Sequence, residues 1–150
     1  AIGVQSLAII LILQIAAIIK LSFYAPLAFP LAAFWGRLSQ IFAIENYEYL
    51  FKKKYNSIHH QNWKGISKEI RPSLIILSIG ITLFLYLTDL NVENTLLITF
   101  YILSSFISSI ITPELINKYL GGHSGDSYGA CLVITETTNL LLLSIILVPN

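Results

Sequence analysis

Residues Gly121 to Ala130 read GGHSGDSYGA, and the apolar run Cys131 to Val148 that follows carries one acid, Glu136. The stretch before it, Thr95 to Thr112, holds no charged residue at all. A polar, glycine-rich decapeptide between two membrane-length apolar runs reads as the turn of a helical hairpin set in a bilayer. Glycine lets the backbone turn sharply and approach other groups closely. An acid deep in an apolar run is costly, which marks Glu136 as a candidate functional residue.

The composition agrees. Of 150 residues, 55% are hydrophobic and only 11% charged, against roughly 25% charged in globular domains. Mean hydropathy is +0.74. A net charge of +1 with no basic stripe gives no affinity for nucleic acid. One cysteine, Cys131, excludes a disulfide framework and a four-thiolate zinc site. The expectation is an all-α, polytopic membrane helix bundle forming a single integral membrane domain over residues 1–150.

About 20 mostly apolar residues cross a bilayer core, so about five transmembrane helices are expected. They are Ile2 to Ile19, Tyr24 to Ile44, Pro72 to Thr88, Thr95 to Thr112 and Ser127 to Val148. The first lacks the basic n-region and small-residue cleavage site of a signal peptide. The chain starts at Ala1 and contains no methionine, as expected of a fragment or a processed product.

Charge in the connections sets the orientation. Glu45 to Arg71 holds six of the nine basic residues, while Asp89 to Asn94 holds two acids and no base. The first segment is therefore expected on the cytoplasmic side and the second outside. Counting spans returns the glycine loop to the cytoplasmic face, beside the basic segment. Tyr47, Tyr49, Phe51, Tyr55 and Trp63 interleave with its lysines, a composition suited to anionic headgroups. A sharper reading has Lys52 to Lys54, with His59 or His60, neutralising a phosphorylated ligand.

Within the spans, charge is confined to Arg37 and Glu136. Helical rise puts both at similar depth, roughly 10 Å or a little more from the cytoplasmic face. An intramembrane Arg37–Glu136 ion pair is expected, either fastening two helices or serving a site. Gln40 and Asn139, each three residues on, would extend a polar stripe.

The loop admits a local reading. Gly121 could end a short helix from Pro113 to Leu120, and Ser124 or Asp126 could cap the next helix. That leaves His123, Gly125 and Gly129 without a role. The GK[ST] ending of a phosphate-binding Walker loop is absent. Even so, a glycine-rich turn opening a helix presents free N–H groups and a positive dipole end to phosphate. Asp126 would repel that phosphate unless a divalent cation stood between them, which is how magnesium is commonly held.

GGHSGDSYGA with Glu136 on the following helix resembles the C-terminal signature of the cobalamin synthase family, the adenosylcobinamide-GDP ribazoletransferases. FWGRLSQIFAIENYEYL, Phe34 to Leu50, is similar to that family's arginine-bearing helix and Tyr-x-Tyr segment. The stretch around His59 and Trp63 resembles its His-Trp region. The likeness covers essentially the whole chain, with Ser124 where threonine is usual. An aspartate-rich motif that precedes this region in the family has no counterpart here, so the chain reads as the C-terminal three-fifths of such an enzyme.

The resemblance implies a magnesium-dependent transferase of the bacterial inner membrane with its active face in the cytoplasm. It would join α-ribazole, or its 5′-phosphate, to adenosylcobinamide-GDP and release GMP. This piece alone would be inactive. Asp126, His123 and Ser124 become the catalytic candidates, with Asp126 also holding Mg²⁺. Gly121, Gly122, Gly125, Gly129, Arg37, His59 and Glu136 become the substrate-binding ones. The partners are these substrates and the lipid bilayer, with a homo-oligomer left open. Against this stands a transporter or channel segment built on Arg37 and Glu136, with Ser104, Ser105, Ser108 and Ser109 lining its path.

Overall fold

The computed structural model describes residues 2–50, 64–87 and 92–148, and their side chains except at 2–4, 83–87 and 92–95. Helix α1 spans Ile2–Leu21 and α2 spans Ala25–Asn46, joined by a 3₁₀ turn at Ser22–Tyr24. Then come α3, Ile66–Leu87, α4, Val92–Leu120, and α5, Gly125–Ile146. Among the described residues the secondary structure is helical, apart from one isolated parallel bridge between Tyr49 and His123. An all-helical bundle is what so apolar a chain requires, since lipid offers backbone groups no partners.

Helix α2 is the centre of the bundle. It packs along α5 more extensively than any other pair, and also touches α1, α3 and α4. Ala28, Ala32 and Gly36 recur every fourth residue on its buried side. Small residues at that spacing let membrane helices approach closely. The approach is tightest at Gly36, where a β-carbon would stand 2.5 Å from Glu136 Cγ and 2.9 Å from the Leu132 carbonyl oxygen. Around this contact Leu31, Phe34, Trp35, Tyr101, Leu140 and Leu143 close the main core. A second cluster of Ala43, Ile44, Tyr128 and Cys131 lies nearer the loop.

Three stretches of the described residues are long and apolar enough to cross a membrane: Gln5–Asn46, Leu96–Leu120 and Gly125–Ile146. The expected count of about five is not met. The first two expected spans fall within one 42-residue stretch. That stretch is broken at Ser22, whose φ of 46° takes it out of the right-handed helix. The expected span from Pro72 begins earlier, at Ile66, with Lys68, Glu69 and Arg71 in its opening turns.

The short helix expected from Pro113 to Leu120 is instead the end of the 29-residue α4. Pro113 removes one backbone hydrogen bond but is fully buried, and α4 runs through it. Outward, α1 shows Leu7, Ile9, Ile12, Ile15 and Ile19. Such an apolar exterior suits lipid rather than water.

Candidate functional site

The loop between α4 and α5 is built by short-range chemistry. Gly121, at φ +70°, ends α4, and its N–H donates to the Asn117 carbonyl at 2.8 Å. A left-handed residue after the last turn is where glycine is favoured. Ser124 caps α5: its hydroxyl accepts the Ser127 N–H at 3.3 Å, and the Ser127 hydroxyl accepts the Ser124 N–H at 2.7 Å. This reciprocal box settles the cap in favour of Ser124 over Asp126.

A distant segment then bolts the loop down. The His123 N–H donates to the Glu48 carbonyl, and the Leu50 N–H to the His123 carbonyl, each at 2.9 Å. Gly122, at φ +151°, makes the crossing possible, because a β-carbon there would stand 2.9 Å from both the Glu48 oxygen and Leu50 Cδ2. The end of α2 and the glycine loop therefore meet at one end of the bundle.

His123 faces inward. It is 0% exposed, with Nε2 3.1 Å from the Pro113 carbonyl oxygen and Nδ1 3.0 Å from Ser127 Oγ. A carbonyl only accepts, so Nε2 carries the proton and Nδ1 accepts. The ring stacks on Tyr128, with centroids 5.4 Å apart and planes 7° apart, and lies 5.2 Å from Tyr47. Tyr49 lies on Tyr128 in turn. Burial pushes the His123 pKa below its ordinary value, so the ring is neutral at pH 7.

Gly121, Gly125, Asp126 and Gly129 face outward and are exposed. A β-carbon on Gly121, Gly125 or Gly129 would meet nothing within 4 Å. Gly125, Asp126 and Gly129 share one face of the first turn of α5, a smooth surface bearing one carboxylate. The N–H groups of Gly125 and Asp126 have no intrahelical partner, and the positive end of the helix dipole lies beside them. The face can therefore take an anion through the backbone and a cation through Asp126.

Arg37 and Glu136 do not form the expected ion pair. Arg37 donates to the Gln40 side chain and faces Glu69 of α3 at 3.9 Å. Glu136 is half-buried beside Gln14, Phe29 and Ala33, with its stem in the notch left by Gly36. Gln14 donates to Thr137 at 2.9 Å, which ties α1 to α5. Arg37 sits one helix face away from Glu136, because Gly36 is the residue that meets α5. A transport path resting on that pair loses its central feature. His59, with Lys52 to Lys54, lies outside the described residues.

Several residues that shape the site escape sequence reasoning. Tyr47, Tyr49 and Tyr128 had only an interfacial or apolar signature, and Glu48 contributes only backbone. Ser127, three residues after Ser124, was the one local hint, since that spacing is that of a capping box. No group of three or more His, Cys, Asp or Glu among the described residues could hold a metal alone.

A sequence profile described as cobalamin-5-phosphate synthase matches residues 1–144. The chain belongs to that family. It is 43% identical, over 97% of its length, to the adenosylcobinamide-GDP ribazoletransferase of Prochlorococcus marinus. Proteins of the same name from a second strain of that organism and from Trichormus variabilis are 37% and 34% identical over the same share. The chain spans 56% of the length of each of these three relatives. No solved structure matches it. As a cobalamin-5-phosphate synthase family member it carries its densest polar motif on the glycine loop described above.

Proposed function

We propose that this chain is the C-terminal part of a transferase that joins α-ribazole, or its 5′-phosphate, to adenosylcobinamide-GDP and releases GMP. The supporting observation is the open face of Gly125, Asp126 and Gly129 at the start of α5, in a chain related throughout to ribazoletransferases. A ribose hydroxyl would lose its proton to solvent as its oxygen forms a bond to the phosphorus that carries the cobinamide. The diphosphate bridge would break, and its electron pair would leave with GMP.

Phosphoryl transfer asks the protein mainly for positioning and charge neutralisation. The backbone N–H groups of Gly125 and Asp126 would bind phosphate oxygens, and the glycines would let the diphosphate come close to the helix end. Magnesium is commonly held by one or two carboxylates together with substrate phosphates, so the single exposed carboxylate of Asp126 fits as one of its donors. When bound, the ion would neutralise charge developing on the phosphate oxygens. Ser124 would hold the helix end in shape through its cap. His123 would position the loop rather than move a proton, because both its nitrogens are engaged within the protein.

The active face would be cytoplasmic, in the inner membrane, beside the basic segment. The test is GMP release from adenosylcobinamide-GDP by the protein expressed from its complete gene. Release that depends on added α-ribazole supports the reading. Turnover of neither substrate by a folded protein would end it.

A further inference from the structure

Between α2 and α3 the bundle leaves two neighbouring hollows open to the outside, together called the crevice here. One part, of about 370 Å³, lies between Ala33, Phe34 and Ser73. The adjoining part, of about 350 Å³, lies between Phe23, Leu27 and Gly80, and Pro30 and Ile76 line both. The helices touch where Gly80 meets Leu31, since a β-carbon on Gly80 would stand 3.3 Å from Leu31 Cδ2. They part again on the side of Ile76 and Ile79, which are exposed. From Phe34 to Pro26 the crevice follows about two turns of α2, roughly 12 Å, and Phe23 of the preceding 3₁₀ turn closes its far end.

The crevice ends in charge. Arg37 lies one turn beyond Ala33 and Phe34 on α2, and Glu69 one turn before Ser73 on α3, so this pair sits across the mouth. At 3.9 Å the two are too far apart for a charge-assisted hydrogen bond. Gln40 takes one arm of the guanidinium and leaves other donors free. At the same end of α3, Lys64, Lys68 and Arg71 are exposed. Cations thus outnumber the one carboxylate facing Arg37. An apolar slot with a cationic mouth matches an anionic amphiphile.

We propose that the α2–α3 crevice holds an acyl chain of an anionic phospholipid, with the lipid phosphate on Arg37. The apolar walls do not choose among lipids, because acyl chains are as apolar as leucine. The choice is made at the mouth, where a phosphate offers the guanidinium the paired acceptors that Glu69 at its distance does not. The site lies on α2 and α3, not on the glycine loop, and it assigns to a lipid the Arg37 that the resemblance offers to the substrate.

The test uses the protein expressed from its complete gene, reconstituted in mixed phosphatidylglycerol and phosphatidylcholine vesicles, extracted, and weighed intact by native mass spectrometry. The wild type should retain one phosphatidylglycerol through detergent exchange. Arg37→Gln should retain about tenfold less, and Arg37→Lys an intermediate amount. Ile76→Trp, which fills the slot, should abolish retention. If Ile76→Trp loses its helical circular dichroism, Ala33→Phe fills the same slot from α2 and is read in its place. Equal retention of phosphatidylcholine by the wild type would make the crevice an unselective lipid contact and overturn the proposal. Full retention by Arg37→Gln would overturn it too, as would displacement of the lipid by GDP, which would assign Arg37 to a soluble anion.

Discussion

The Arg37 guanidinium lies 3.9 Å from the Glu69 carboxylate, across the α2–α3 contact and away from Glu136. Arg37 is 45% exposed on its side chain and Glu69 26%, so the pair is screened and its coupling should stay under about 1 kcal/mol. Thermal unfolding of Arg37→Leu, Glu69→Leu and the double variant should give that small coupling. The same cycle with Glu136→Leu should be additive within about 0.5 kcal/mol. A large coupling between Arg37 and Glu136 would contradict the packing.

Gly36 is the tightest point between α2 and α5. In Gly36→Ala the new methyl group would meet Glu136 Cγ at 2.5 Å and the Leu132 carbonyl at 2.9 Å. Crowding of this kind costs about 1–3 kcal/mol. Removing the Glu136 stem relieves the first contact but not the second. Gly36→Ala with Glu136→Ala should therefore unfold at a temperature between those of Gly36→Ala and Glu136→Ala. A Gly36→Ala protein as stable as the wild type would show that the helices stand further apart.

How much of this was legible in the sequence follows from the range of each interaction. The hairpin, the glycine that ends α4 and the cap at Ser124 rest on neighbours within four residues, and local patterning reveals them. Pro113 reads locally as a stop, yet α4 runs through it because its ring is buried and its carbonyl meets His123, ten residues on. His123 reads as a reactive group on a loop. Its burial depends on Tyr47 and on the Glu48–Leu50 backbone, more than seventy residues away. Glu69 is not legible as the partner of Arg37, because the apolar run by itself starts α3 at Pro72. Starting at Ile66, it carries Glu69 onto a helix face beside α2. Depth counted along a helix also says nothing about rotation, and Gly36 rather than Arg37 is what α5 meets.

His123 should behave as a structural clamp. Its pKa is lowered by burial, so the unfolded chain binds its proton more readily than the folded one. The stability it contributes should be complete above its ordinary pKa, about 6.5, and should fade as pH falls through the depressed folded value. His123→Gln, which cannot titrate, should lose that pH dependence, measured by thermal unfolding across the acid range. His123→Ala should cost about 2–4 kcal/mol through the lost contacts and the cavity. If His123 were instead the base of the reaction, His123→Gln would stay folded while kcat collapsed.

Asp126 is proposed to carry charge for a bound cation and not merely to form part of a helix end. Ser124 already caps α5, so Asp126→Asn leaves the cap intact and changes size very little. It removes only the negative charge on the exposed face of Gly125 and Gly129. The decisive measurement is GMP release by Asp126→Asn, in the protein expressed from its complete gene, across a magnesium titration and beside its unfolding temperature. Turnover should fall by orders of magnitude at limiting Mg²⁺ and recover in part as Mg²⁺ rises, with an unfolding temperature close to wild type. Near wild-type turnover at limiting Mg²⁺ would contradict it.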